Sequence, residues 1–265
     1  MKRLIALALL CCLLLCACGK PEAPTVPATE APTEAPTEET TEASQTGPVT
    51  VYLLTEVFFY DSGYNQYRYD DDHNINTCGV FDMENQPIYD TFFEEKDANG
   101  MAKEVRVMWT DATPGDTRLL TYSEDGKLQE ELIAGSNFTG SQYVYDDDGN
   151  RIEKRDYYEG ILEATVYCEY EAGVLTAAYS EDAQGNKVYE CRIENGRILE
   201  KVFYDYESEY GYLYEYDDNG NMIGSTYYFE GESHPAGQYL YAAVEVDAQR
   251  APYLLAQQAY LLGII

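Results

Sequence analysis

The feature that most constrains this chain is a turn that recurs at a nearly fixed period. Short acidic segments end in glycines spaced 23 or 24 residues apart, and an aliphatic residue follows each glycine closely. The glycines are Gly126, Gly149, Gly173, Gly196 and Gly220, and a second set lies about halfway between them, at Gly160, Gly185, Gly211 and Gly231. A turn about every 12 residues leaves room for strands of about eight, which predicts an all-β chain of consecutive hairpins.

The segments between the turns alternate aromatic or β-branched residues with polar ones, which is typical of strands. Residues 143–152 (YVYDDDGNRI) and 214–223 (YEYDDNGNMI) are near copies, and residues 67–75 (YRYDDDHNI) form a third with His73 in place of glycine. Asp and Asn open such turns by bonding the local backbone, and glycine closes them because it adopts positive φ. We therefore predict an antiparallel repeat meander that forms a long curved or spiralling sheet over residues 51–247.

The motif Tyr-Asp-x-x-Gly-Asn-x-Ile resembles the YD repeats of the RHS family, which form long spiralling β-sheets in large bacterial surface and toxin proteins. The resemblance covers roughly residues 57–231, and the copies that begin at Tyr145 and Tyr216 match closely. It implies the same kind of repeat sheet here. The chain is too short to close a shell around a cargo, and it has no autoproteolytic Asp-Pro-x-Gly motif. Cargo encapsulation is therefore not expected.

The N-terminal residues have the pattern of a targeting signal. A basic start is followed by an apolar run over residues 4–15, which is shorter than the roughly 20 residues a transmembrane helix needs. The segment Leu15-Cys16-Ala17-Cys18 resembles the lipobox of bacterial lipoproteins. The resemblance implies a signal peptide over residues 1–17, lipidation of Cys18, and a protein held by lipid at the extracytoplasmic face of the cell membrane. The alternative is an ordinary secretory signal peptide.

Residues 18–50 differ in composition from the rest of the chain. Six of the ten prolines lie there, at Pro21, Pro24, Pro27, Pro32, Pro36 and Pro48. The segment has no aromatic residue and cannot bury a core, so we predict a disordered stalk between the lipid anchor and the β body.

The last residues, 248–265, are predicted to form a short helix that covers the sheet. Leu254, Leu255, Ala259 and Leu262 fall on one helical face, and Gly263 follows as a stop signal. Pro252 suits the first turn of this helix, which places its start near Ala251.

Composition excludes several classes of function. A formal net charge of −31 opposes binding to nucleic acid. Two histidines, His73 and His234, cannot build a multi-histidine metal site, and no cofactor or catalytic motif is evident. The acidic turns at residues 146–148 and 217–219 could be interpreted as calcium sites. Their acids are consecutive, however, and no flanking helices are predicted as in an EF-hand, so we favour turns whose side chains bond their own backbone.

The mature chain keeps three cysteines, of which Cys168 and Cys191 occupy equivalent positions one repeat apart. In a meander with two strands per repeat they would lie about 9.6 Å apart, beyond disulfide reach, whereas a solenoid would stack them at about 4.8 Å. The meander therefore predicts free thiols.

Tyrosine supplies 27 residues, and some of them alternate onto one face of a strand. The candidate ligand-binding residues are Tyr143, Tyr145, Tyr212, Tyr214 and Tyr216. Such rings either pack across a sheet with limited cover or form a platform for sugar rings or a protein partner. We predict a non-catalytic module that binds an extracellular protein or glycan. The alternatives are a self-associating structural envelope protein and a carboxylate-dependent polysaccharide hydrolase.

Overall fold

The structure is a computed structural model that describes residues 47–204 and 209–263, and these residues form sixteen β-strands and one α-helix. The predicted signal peptide, Cys18 and most of the predicted stalk lie outside the described residues. The first seven strands are β1 (Pro48–Phe59), β2 (Gly63–Tyr69), β3 (Ile75–Phe81), β4 (Pro87–Lys96), β5 (Ala102–Trp109), β6 (Pro114–Tyr122) and β7 (Leu128–Ile133). The next five are β8 (Gly140–Tyr145), β9 (Arg151–Tyr158), β10 (Ile161–Glu171), β11 (Val174–Asp182) and β12 (Lys187–Glu194). The last are β13 (Arg197–Tyr204), β14 (Glu209–Tyr216), β15 (Met222–Phe229) and β16 (Glu232–Asp247), followed by the helix α1 (Ala251–Leu262).

Each strand pairs antiparallel with the next in sequence, so the predicted meander is confirmed. The predicted open, spiralling sheet is wrong, because β16 pairs with β1 and closes the sixteen described strands into a barrel. The closing register runs from Pro48 opposite Asp247 to Phe59 opposite Gly237. A local repeat specifies which strand follows which, but closure depends on a pairing between the two ends of the body.

The turns confirm most of the predicted glycine positions. All five glycines of the first set have φ between 76° and 88°, and His73, where a glycine was expected, has φ 66°. Gly211 is the exception, because it lies inside β14 rather than in a turn. A Cβ at Gly211 would lie 2.4 Å from the Lys201 carbonyl oxygen, so this glycine permits a close approach of two strands.

The two cysteines that test the strand count lie on β10 and β12, with β11 between them. Cys168, Cys191 and the remaining described cysteine, Cys78, are free thiols. This arrangement agrees with two strands per repeat and excludes the stacked solenoid.

The helix α1 packs on the inward face of the barrel, at the end where the acidic turns of residues 70–74 and 146–150 lie. Leu254 is fully buried against Val51 and Leu53. The helix begins at Ala251 with a proline in its first turn, and Gly263 caps its C-terminal end after Leu262, as predicted. Its predicted buried face is wrong in part, because Leu255 is 55% exposed.

Two glutamines occupy the buried face of α1 that the sequence assigned to apolar residues. Gln258 Oε1 accepts the backbone N–H of Leu54 at 2.7 Å, and Gln257 Oε1 accepts that of Ile75 at 2.9 Å. These N–H groups lie where the strand pairing is irregular or begins, so they need side-chain acceptors. Hydrogen bonding to strand backbone therefore decides which face of the helix is buried.

The outward face of the barrel carries ladders of charged side chains. Arg106 pairs with Glu94 at 2.8 Å, and Arg192 pairs with Glu200 at 3.0 Å. Aromatic rings lie on both faces: Tyr167 and Tyr179 pack together on the outward face at 5.2 Å, whereas Tyr189 and Phe203 belong to an inward hydrophobic cluster. In the described part of the chain, no helix is long and apolar enough to cross a membrane.

Candidate ligand-binding cavity

A cavity of about 670 Å³ lies on the inward face of the barrel, at the end opposite α1. Strands β1, β14, β15 and β16 build most of its wall. Its aromatic lining consists of Phe59, Tyr210, Tyr212, Tyr214, Tyr227 and Tyr239. Polar side chains also reach it, namely Asp61, Ser62, Ser225 and His234.

Strand alternation and register place these rings on one face. Cross-strand partners share a face, and so do alternate residues of one strand. Tyr212 is the partner of Tyr227, Tyr214 is the partner of Ser225, and Ser225 is in turn the partner of Gly237. Tyr239 follows Gly237 by two residues and pairs with Val57 across the closing seam. The inward face thus continues from β14 to β1 without a break.

Four of the rings form a connected aromatic cluster, namely those of Tyr210, Tyr212, Tyr214 and Tyr227. The centroids of Tyr212 and Tyr227 are 5.4 Å apart, and those of Tyr210 and Tyr227 are 6.2 Å apart. Tyr212 and Tyr214 are nearly parallel at 6.5 Å, which is the spacing that strand residues two apart impose. The cluster supplies several ring faces at fixed angles around one cavity.

Burial controls the protonation of these tyrosines. Desolvation raises the pKa of Tyr212 and that of Tyr214 above the usual tyrosine value. Both hydroxyls are therefore protonated at neutral pH and can donate hydrogen bonds. The cavity combines aromatic faces with neutral hydroxyl donors, which suits a ring that carries hydroxyl groups.

The structure brings together two of the five predicted ligand-binding residues, Tyr212 and Tyr214. The other three also face inward but lie elsewhere. The Tyr216 hydroxyl donates to the Ile198 carbonyl oxygen at 2.9 Å, and the Tyr145 hydroxyl donates to the Leu128 carbonyl oxygen at 2.8 Å. The Tyr143 hydroxyl donates to Glu131 at 3.3 Å. These three residues do not line the cavity and are bound to the barrel wall.

Sequence reasoning missed most of the cavity. Tyr210, Tyr239, Phe59 and His234 were not among the predicted site residues. Tyr227 carried a usable signal, because a Tyr-Tyr pair must place one ring on each face of a strand. Phe59 and Tyr239 line the same cavity only because β1 pairs with β16, and no local pattern predicts that pairing.

The acidic turns use their carboxylates to bond the backbone. Asp146 Oδ1 accepts the N–H of Asn150 at 2.7 Å, and the Asn150 amide donates to Asp146 Oδ2 at 3.0 Å. Asp217 makes the same pair of bonds with Asn221, at 2.8 and 2.9 Å. Within residues 47–204 and 209–263, no cluster of three or more His, Cys, Asp or Glu has the arrangement of a metal site.

Comparison with known proteins gives a fold-level likeness only. No family model matches the chain, and no curated protein matches its sequence. A porin-like protein from Bacteroides uniformis ATCC 8492 is similar over 75% of this chain and 97% of its own, with 11% identity and a TM-score of 0.42. The TcdB2-TccC3 structure is similar over 70% of this chain and 14% of its own, with 9% identity and a TM-score of 0.29. At these scores, neither likeness supports an inference about function.

Proposed function

We propose that this chain is a lipid-anchored envelope protein whose barrel binds a glycan in the tyrosine-lined cavity without catalysing a reaction. The cavity is the observation that supports the glycan-binding proposal. Its volume, about 670 Å³, lies within the range of about 300–1,000 Å³ typical of small-molecule sites. Such sites combine aromatic walls with a few polar groups, and sugar rings present apolar C–H faces together with hydroxyls.

The lipid anchor rests on the lipobox-like segment that ends at Cys18. Strand β1 begins at Pro48, so about thirty residues separate the proposed lipid from the barrel. The charged outer face of the barrel suits contact with water.

A non-catalytic role agrees with the carboxylates. Among the described residues that line the cavity, Asp61 is the one carboxylate, whereas glycosidases need a pair. Where the pKa of a described carboxyl group is shifted, as for Asp146 and Glu190, it is lowered. A general acid needs a raised pKa.

A binding assay with the full chain tests the proposal. Oligosaccharides are screened on an array, and the best one is titrated calorimetrically against the wild type and Tyr212→Ala. Loss of one stacking ring should weaken binding about tenfold or more. Tyr212→Phe keeps the ring and should retain most of the affinity.

The matched control is Tyr179→Ala. Tyr179 packs on Tyr167 at 5.2 Å on the outward face, away from the cavity. This variant should bind as the wild type does. Equal losses in Tyr212→Ala and Tyr179→Ala, or no binding by any glycan at millimolar concentration, would contradict the proposed function.

A further inference from the structure

The tyrosines that line the cavity differ from four other inward tyrosines in what lies over their rings. At those four positions a lysine or arginine of the chain itself lies over the ring, within the roughly 6 Å at which an aromatic face attracts a cation. The pairs, with the distance from the cationic group to the ring centroid, are Arg151 over Tyr143 at 5.8 Å, Lys127 over Tyr145 at 5.8 Å, Arg197 over Tyr216 at 5.7 Å and Lys201 over Tyr189 at 3.9 Å. The barrel therefore uses inward tyrosine rings to hold cations.

The rings of the cavity have no such cation from this chain. Within residues 47–204 and 209–263, no lysine or arginine lies over a lining ring at that distance, and none of the lining residues is a lysine or an arginine. Lys201 is the register partner of Tyr212, yet its Nζ lies over Tyr189, which does not line the cavity. The cavity therefore offers the same kind of ring face without the cation.

A carboxylate also lines the cavity beside these rings. Asp61 lies in the turn between β1 and β2 and is exposed, and its carboxylate makes no hydrogen bond or ion pair with another of the described residues. The one histidine of the lining, His234, is 62% exposed, and its Nε2 atom lies 3.7 Å from the carboxylate of Glu232. Asp61 therefore supplies the formal negative charge of the described lining, and no lysine or arginine in that lining offsets it.

Aromatic faces beside a carboxylate favour a cation. The face of an aromatic ring is the negative part of its quadrupole, so it attracts an ammonium group, and a carboxylate accepts hydrogen bonds from the same group. The tyrosines remain neutral rings at neutral pH, because burial raises the pKa of Tyr214 above the usual tyrosine value. A formal net charge of −31 on the chain adds an attraction for cations at longer range.

We infer that the glycan bound in the cavity carries an ammonium group, as an unacetylated amino sugar does, and that Asp61 helps to select it. This inference rests on the proposed glycan-binding function and narrows it to amino sugars. The tyrosine rings hold the sugar and attract its ammonium group, and Asp61 accepts a hydrogen bond from that group. Because Asp61 is exposed, water screens its charge, and the rings contribute the larger share of the selectivity.

The test compares two disaccharides that differ only in the group at C2 of each sugar. Cellobiose carries hydroxyl groups there, and the β-1,4-linked disaccharide of glucosamine carries amines that are largely protonated at neutral pH. Titrated calorimetrically against the full wild-type chain, the glucosamine disaccharide should bind about tenfold or more tightly than cellobiose. Asp61→Asn should lower this ratio about threefold, and Asp61→Glu should retain most of it.

The control variant is Asp116→Asn. Asp116 is an exposed acid on β6 that does not line the cavity, so this substitution removes the same charge and should leave the ratio unchanged. A merely structural role of Asp61 would weaken binding of both disaccharides equally and leave their ratio intact. That result, an equal fall of the ratio in Asp116→Asn, or equal affinities in the wild type overturns the inference while leaving the proposed glycan site in place.

A cation without a sugar separates this inference from the proposed function. Tetramethylammonium and its uncharged analogue tert-butanol are titrated against the wild-type chain while NMR follows the ring signals of Tyr212, which are assigned with Tyr212→Phe. A saturable shift with tetramethylammonium but not with tert-butanol supports the inference. If no oligosaccharide binds, the proposed glycan function fails, and this titration alone decides the inference: a saturable shift supports a cation site in the cavity, and its absence overturns it.

Discussion

At the scale of single residues, each member of the repeated motif has its own task. The tyrosine hydroxyl donates to a carbonyl oxygen of the preceding strand, at 2.6 Å from Tyr69 to Leu54 and at 2.8 Å from Tyr145 to Leu128. The aspartate holds the turn by accepting backbone N–H groups, and the glycine supplies positive φ. Part of the high tyrosine content therefore stabilises the barrel, because these hydroxyls donate to strand carbonyl oxygens and do not line the cavity.

The turn aspartates should make stability depend on pH. The Asn221 amide, followed by backbone N–H groups, lowers the pKa of Asp217 below its value in the unfolded chain. Its contribution is therefore complete above about pH 4 and is lost as the pH falls through the lowered pKa. The difference in unfolding free energy between the wild type and Asp217→Asn should be largest at neutral pH and shrink at acid pH.

Chemical denaturation between pH 2.5 and 7 measures this difference. Asp218→Asn removes the same charge at the next residue and serves as the control, so the general relief of charge repulsion cancels between the two variants. A difference between Asp217→Asn and Asp218→Asn that is constant over the whole pH range would rule out the assigned role of Asp217.

At the scale of elements, strand order was predictable and helix orientation was not. Turn chemistry marks each hairpin locally, so consecutive pairing follows from the sequence alone. The helix was expected to bury Leu255 and Ala259, yet it buries Gln257 and Gln258. The reason is tertiary: strand N–H groups at Leu54 and Ile75 need acceptors, and their positions relative to the helix cannot be read from a helical period.

Removing one of these acceptors should destabilise the barrel. Gln258→Leu leaves the N–H of Leu54 buried without its 2.7 Å acceptor, which costs about 1–3 kcal/mol. Leu255→Ala changes the same helix at an exposed position and should cost less than about 0.5 kcal/mol. Equilibrium unfolding in urea compares the two variants. Equal stabilities would show that α1 is held by apolar contacts alone.

At the scale of the whole molecule, closure of the barrel forms the cavity, which the repeated motif alone does not specify. The cavity takes Phe59 from β1 and Tyr239 from β16, strands at opposite ends of the body. Alternation along β14 is enough to select Tyr212 and Tyr214 as candidate residues. Phe59 and Tyr239 join them in the cavity only because β1 pairs with β16. Repeats of one period suit an open spiral and a closed barrel equally well, because the curvature of the sheet is a global quantity.

Hydrogen exchange tests closure directly. Strand β1 pairs with β2 only over residues 56–59, so β16 is the one strand partner of residues 48–54 among the described strands. Val51 and Leu53 lie opposite Val244 and Ala242, and in a closed barrel they should exchange as slowly as Val166 in the middle of β10. In an open sheet these amides would have no strand partner and would exchange fast. Fast exchange at Val51 and Leu53 beside slow exchange at Val166 would refute the barrel, and with it the cavity that spans the seam.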